Sequence, residues 1–475
     1  MKKSILRILC FLAVLLIALG CWNIIFKRKD GDGIYDLKKY YELEKNTVDV
    51  LILGSSHAFE NFNTGTLWDE GGLSSFILGG SMQPMWNTYY FLKAALKTQT
   101  PKLILLEGYA TSFTDDYSKD SHIIKNTFGL PWSPDRVDAV KASAPKERWA
   151  DFLLSYTQYH TRYKELSRAD FAPNQGNPLF RDWKGFGCSM QTTPLTALDL
   201  SSVTESLPLS EKTEKYYRAT LQLAADAGIP VVVLVAPFTA ISPDQERYFN
   251  RAGEIAAEHG ASYLNCNLLL DEIGINYAMD AADTEHLNYR GNRKFTSYVL
   301  RYLKNRYELA DHRGDDRYAT WQKNADYVRQ IIANQELTEC TEFADILPRL
   351  QNPAYWVFVS TAGSCDPLAS PARELLKDMG IPAGEASILC QLQGSAVLWQ
   401  ASDENGRALY LRTEPHDFHL RQSFDDTKVS NTVVMDRQTY AKVDSGINIV
   451  VYDTLSEKIA SSFGLDAENG YAIVR

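Results

Sequence analysis

Short, largely apolar runs restrict this chain more than any other feature. "VDVLILG" (48–54) shows no polar alternation, so a strand formed there must be covered on both faces. "SSFILGG" (74–80), "PKLILLEGY" (101–109) and "IPVVVLVAPF" (229–238) repeat the pattern, and "ASYLNCN" (261–267) is a weaker fifth run. Stretches of helical spacing lie between them. In "MWNTYYFLKAALKTQ" (85–99), Trp86, Tyr89, Tyr90, Leu92, Ala95 and Leu96 fall largely along one face. Helices are also predicted in 209–228, 244–260 and 292–309, the first two ending at Gly228 and Gly260. Alternating strand and helix predicts an α/β fold, a three-layer doubly wound parallel sheet spanning 46–305.

The 475 residues exceed one ordinary core, so further units are expected. A long insertion, about 111–204, interrupts the alternation. It is helical in part and carries Trp149, Tyr156, Tyr159, His160, Tyr163, Trp183 and Phe186. These rings suit either a small aromatic core or a sugar platform. Residues 306–350 are polar and mostly helical, a connector. From 351 to 475 the runs "YWVFVSTAG", "GSAVLWQAS", "ALYLRTEP", "NTVVMD" and "GINIVVYD", with one helix in "SPARELLKDMG", predict a second domain of α+β type.

The net charge of -10, with no long basic run beyond residue 40, argues against a nucleic-acid partner. The N-terminal 29 residues are different. After Met-Lys-Lys, the uncharged apolar stretch 8–26 is long enough to cross a bilayer. Its length and the lack of a small-residue cleavage site favour an uncleaved anchor over a signal peptide. Basic residues flank both ends, so the charges leave orientation open. The seven cysteines show no metal-type spacing and do not form a disulfide scaffold. Free thiols are expected, with one pair among Cys340, Cys365 and Cys390 as the alternative. No metal or organic cofactor is expected.

The first apolar strand runs into Gly54-Ser55-Ser56-His57. A hydroxyl there is either a helix N-cap or an exposed nucleophile. A nucleophile needs a base, and "AADTEHLNYRGNRKF" supplies one: Asp283 and His286, three residues apart, just before the closing helix. A carboxylate at that spacing can fix the imidazole tautomer while the other ring nitrogen faces Ser56. Asp283 as a plain helix cap is the alternative. Both segments would meet at the C-terminal edge of the sheet, where such folds place their sites. Gly80 is a second turn at that edge, with either turn chemistry alone or an N–H facing an oxyanion. The Ser56 N–H is the other natural oxyanion donor. His57 and His160 are candidate substrate contacts, each with a packed or solvent-facing histidine as the alternative. Glu107, ending a strand nearby, reads as a structural salt bridge.

These residues resemble the SGNH/GDSL hydrolases over roughly 46–305. "LGSS" (53–56) matches the family's Gly-Asp-Ser block with Ser55 in place of aspartate, "LGG" (78–80) its glycine block, and Asp283-Thr-Glu-His286 its Asp-x-x-His block. The block that usually reads Gly-x-Asn-Asp is rewritten as "LLEGYATSF" (105–113), so one usual oxyanion donor is missing or replaced. With the anchor, this is similar to the extracytoplasmic branch containing the alginate O-acetylation proteins and the DltD-type proteins of teichoic-acid D-alanylation. The resemblance implies a bacterial, single-pass membrane protein with the bulk of the chain outside the cytoplasm. It also implies a cell-surface polysaccharide substrate and a membrane-bound O-acyltransferase partner. The C-terminal region resembles the interleukin-like EMT inducer domain, which implies carbohydrate binding.

The expectation is therefore a serine acyltransferase acting through an acyl-enzyme on Ser56. An esterase or deacetylase with the same triad and a non-catalytic glycan-binding scaffold are the rivals.

Overall fold

The structure, a computed structural model, describes residues 2–26, 32–153, 159–166, 168–171, 183–382, 387–401, 408–413, 416–425 and 428–475. The chain divides into two compact units, Met1–Asp326 and Tyr327–Arg475.

The first unit is α/β. Five strands, β1 (Val50–Gly54), β2 (Ser75–Gly79), β3 (Leu103–Glu107), β4 (Val231–Val235) and β5 (Ser262–Asn265), form one sheet in the order β2-β1-β3-β4-β5. Every pairing is parallel. Every residue of β1 to β4 is buried, as their unbroken apolar sequences require of strands covered on both faces. Each leucine or isoleucine removed from water there contributes roughly 1.5–3 kcal/mol. The helices foreseen between strands form at α5 (Met85–Ala95), α8 (Glu211–Asp226), α9 (Pro243–Glu258) and α10 (Tyr289–Lys304). Two short helices follow β1, α3 (Ser56–Asn61) and α4 (Thr64–Gly71). The chain leaves β1 for β2 on one side and later crosses to β3 on the other. The loops leaving these three strands therefore converge at one place on the C-terminal edge.

N-terminal to this sheet lie α1 (Lys2–Phe26) and α2 (Ile34–Glu42). Within α1, Lys3–Trp22 is long and apolar enough to cross a membrane, and its large apolar side chains are exposed. The insertion contributes α6 (Asp120–Thr127) and α7 (Pro134–Ser143). Of its aromatics, Tyr159 is buried in a small core with Ile123, Phe128, Val140 and Phe152, against which Trp149 packs. Trp183 and Phe186 stack on one another at 5.5 Å, and Tyr163 is exposed. Tyr156 and the side chain of His160 lie outside the described residues.

The second unit holds a six-stranded antiparallel sheet and a four-stranded one. The expected runs form strands Tyr355–Ala362, Ala396–Gln400, Ala408–Thr413, Lys428–Met435 and Gly446–Asp453, and the expected helix is Ala372–Asp378. Strands Leu389–Gln393, His416–Asp425 and Lys458–Asp466 are not predicted, because polar residues interrupt their apolar pattern, nor are Gln438–Thr439 and Ala472–Val474, which are too short to show one. All seven cysteines are free, so the alternative of one disulfide pair is not realised.

The sheet is tightest where β1 meets β3. A Cβ placed on Gly54 would lie 2.7 Å from Glu107 Cβ and 3.0 Å from Ala58 Cβ. Gly54→Ala should therefore destabilise the first unit by about 1–3 kcal/mol through overpacking. Chemical denaturation followed by tryptophan fluorescence measures it, and an unchanged midpoint would mean that Glu107 moves aside freely.

Candidate active site

The strand-to-helix turn after β1 divides labour between two serines. Ser55 is the N-cap of α3, its hydroxyl accepting the His57 N–H at 3.4 Å. Ser56 is thus relieved of capping, and its Oγ lies 2.9 Å from His286 Nε2. Across the ring, His286 Nδ1 lies 3.1 Å from Asp283 Oδ1 and 3.2 Å from Oδ2. A parallel division holds at the other segment. Asn288 caps α10, accepting the Arg290 and Gly291 N–H groups, which leaves Asp283 free of that task. Asp283 instead accepts the N–H groups of Glu285 at 2.8 Å and His286 at 2.9 Å. Burial alone would raise its pKa. Those donors and the imidazole outweigh burial and hold the carboxyl below the ordinary carboxylate range.

Residues 230 positions apart meet because the loop 281–288 is tied to α3. The Leu287 N–H donates to Asn61 Oδ1 at 2.8 Å, and Asn292 Nδ2 donates to the Glu60 carbonyl at 3.4 Å. Glu60 also brings a second carboxylate to the ring, Oε2 lying 3.9 Å from His286 Nδ1. Burial pushes its pKa up. Sequence reasoning missed Glu60, although its place four residues after Ser56 on a short helix was a usable signal.

Gly80 follows β2 in a turn that runs beside the Ser55–Ser56 turn. A Cβ on the preceding Gly79 would lie 2.8 Å from the Gly54 carbonyl oxygen and 3.1 Å from that of Ser55. A Cβ on Gly80 itself would collide with Asn126 Oδ1. The Gln83 N–H closes the turn on the Gly80 carbonyl at 2.9 Å.

His57 is fully buried and packed rather than presented. Its ring stacks on Tyr109 at 3.7 Å and meets the Phe238 ring edge-on at 4.9 Å. Its Nε2 lies 3.5 Å from Glu285 Oε2, and Tyr109 Oη donates to the same oxygen at 3.1 Å. Burial drives the His57 pKa down to about 4, so the ring is neutral at ordinary pH. Tyr109 also lines a cavity of about 260 Å³ with Met82, Trp86, Phe113, Tyr117 and His122. Tyr109 and Glu285 went unnoticed in the sequence, since nothing in their local pattern signals a shared contact.

Glu107 departs from its sequence reading. Its buried carboxyl accepts backbone N–H groups, from Tyr109 at 3.1 Å and Ala236 at 3.4 Å. Among the described residues no cation pairs with it, so it organises the β3 and β4 exits through backbone rather than through a salt bridge. Burial pushes its pKa up to about 8, against the pull of those donors.

Comparisons with known proteins add little to this geometry. No protein-family model and no curated protein matches the chain. One solved structural neighbour is a Bacteroides fragilis protein titled a "putative acylhydrolase", at 10% identity and a TM-score of 0.28, covering 56% of this chain and 94% of that one. A likeness this slight assigns neither family nor activity.

The Glu107 pKa has a testable sign. A carboxyl raised from 4.5 to about 8 keeps, in the folded state, a proton that the unfolded chain loses across that window. Its contribution to stability therefore declines as pH rises from 4.5 to about 8. Glu107→Gln removes this titration. Denaturation midpoints at mildly acidic and mildly alkaline pH should show the variant gaining on wild type as pH rises, whereas a constant difference would mean that Glu107 is ionised throughout.

Proposed function

We propose that the protein is a serine-dependent acyltransferase working through an acyl-enzyme on Ser56. The observation that carries this reading is the continuous chain Ser56 Oγ, His286, Asp283, at 2.9 Å and 3.1 Å. In the forward step, His286 Nε2 takes the Ser56 proton as Oγ attacks an ester or thioester carbonyl. Asp283 holds the Nδ1–H tautomer and stabilises the imidazolium. Backbone N–H groups of Ser56 and Gly80 receive the oxyanion. The leaving group takes the proton from His286 as the tetrahedral intermediate collapses. In the second half, His286 deprotonates an acceptor hydroxyl, which attacks the acyl-serine, and the departing Oγ takes the proton back from His286.

The acyl group is acetyl or a similar small ester. The acceptor is a hydroxyl of an extracytoplasmic cell-surface polysaccharide. This follows the sequence resemblance to the anchored SGNH branch, as does a membrane-bound O-acyltransferase as donor partner. Helix α1 serves as a single-pass anchor with the bulk of the chain extracytoplasmic, and the second unit serves as a carbohydrate-binding module. One observation favours esterase activity as the second reading: Asp283 is half-exposed, so water reaches the triad. Hydrolysis would use the same residues, with water in place of the sugar.

The test is intact-mass analysis of the full chain in detergent after mixing with p-nitrophenyl acetate, alongside Ser56→Ala and with or without an oligosaccharide acceptor. A wild-type adduct of one acetyl, absent in Ser56→Ala and discharged faster by acceptor than by water, is expected. Turnover by Ser56→Ala should fall at least about 10³-fold. Discharge by water alone would favour the esterase. A wild-type chain with neither adduct nor turnover would sink the nucleophile reading.

A further inference from the structure

We propose that Asp32, in the segment between the apolar helix and the catalytic sheet, is a positioning residue of the reaction. Through Ser81 it fixes the glycine turn that follows β2, so the exit of the anchor forms part of the active site. This rests on the acyl-enzyme reading above, with Gly80 as an oxyanion donor.

The Asp32 carboxylate gathers three donors. Its Oδ2 accepts both the backbone N–H and the hydroxyl of Ser81, and its Oδ1 pairs with Lys125 Nζ at 2.6 Å. Lys125 Nζ also donates to Ser81 Oγ at 3.1 Å. From the opposite side, Asn126 Nδ2 donates to the Ser81 carbonyl at 3.0 Å. Ser81 is thus held at its N–H, its hydroxyl and its carbonyl. The peptide immediately before it belongs to Gly80, whose own carbonyl is occupied by the Gln83 N–H. The Gly80 N–H lies one peptide earlier, between Gly79, held by its ladder pairing with Gly54, and the clamped Gly80–Ser81 peptide, so the clamp sets its direction from one side and the sheet from the other. Hydrogen bonds to an ionised carboxylate are roughly twice as strong as neutral ones, which suits a clamp.

The seat of Asp32 is itself specific. Gly33 has φ of +73°, and a Cβ there would lie 2.6 Å from the Lys125 carbonyl oxygen. A Cβ on Gly129 would lie 2.5 Å from the Gly33 carbonyl oxygen. Segment 32–33 therefore lies flat on the C-terminal end of α6, a fit that tolerates no side chain at either contact. On the far side of residues 27–31, Arg162 Nη1 holds the Phe26 carbonyl at 2.6 Å, and Trp22 and Phe26 pack against the small core of the insertion. The end of the apolar helix and the turn beside the nucleophile are thereby joined through one short stretch of chain.

The experiment uses the full chain in detergent with p-nitrophenyl acetate. Active sites are counted by the burst of p-nitrophenol, and Asp32→Ala, Asp32→Glu, Ser81→Ala and Ser56→Ala are run with wild type. Asp32→Ala should lower kcat per titrated site about 10- to 100-fold, the scale for a slightly misplaced catalytic group, with KM within about twofold. The pH profile should keep its shape, because the triad is untouched. Asp32→Glu should recover part of the loss. Ser81→Ala, which keeps the N–H to Asp32, should lose less than Asp32→Ala. A purely structural clip would lower the number of titrated sites and the melting temperature while kcat per site stayed within twofold of wild type. That result overturns the proposal and leaves the acyl-enzyme reading standing. Absence in wild type of both a Ser56-dependent burst and Ser56-dependent turnover overturns both.

Discussion

The close approach of backbone at the C-terminal end of β1 is the constraint on which the site depends. Gly54 has Glu107 against its α-carbon on one side, and Gly79 passes against the Gly54 and Ser55 carbonyls on the other. Only chains without side chains at these contacts bring the exits of β1, β2 and β3 so near together. The buried parallel ladder forces the approach, because it leaves the three strands no freedom of register. A hydroxyl, a glycine turn and a buried carboxyl then meet at one edge without any long loop having to find its place.

Polar groups at this edge are shared out so that reactive ones stay unencumbered. Helix ends need donors or acceptors, and Ser55 and Asn288 meet that need locally. Ser56 and Asp283, the chemically interesting neighbours, are left for His286. The buried groups around them are neutralised in different ways. His57 is kept uncharged by burial and stacking, and Glu107 by burial against backbone donors. The other carboxyl groups beside the His57 and His286 rings, those of Asp283, Glu60 and Glu285, are all partly exposed.

The segment that follows the apolar N-terminal helix does more than connect. Asp32, Lys125 and Asn126 come from the segment before α2 and from α6, yet they converge on one residue of the β2 exit. The insertion that supplies α6 thus acts as a wedge between the N-terminal segment and the C-terminal edge of the sheet. Its aromatic residues divide accordingly, with Phe128, Phe152 and Tyr159 in the wedge's own small core and Tyr117 lining the cavity beside Tyr109.

Sequence alone determined the sheet of the first unit, because unbroken apolar runs of five residues have one stable use, a strand buried on both faces. It also determined the apolar N-terminal helix, by length, and which serine, histidine and aspartate to look for, by their places at strand and helix ends. The second unit was only half legible, since strands such as His416–Asp425 mix polar and apolar residues without a clean period. Only tertiary structure decided the rest. The capping choice between Ser55 and Ser56 depends on a dihedral angle at one residue. The contacts of Glu60, Tyr109 and Glu285 depend on which loops lie side by side. The hold of Asp32 on Ser81 spans 49 residues and leaves no local trace, because a carboxylate in a polar segment looks the same whether it faces water or a turn.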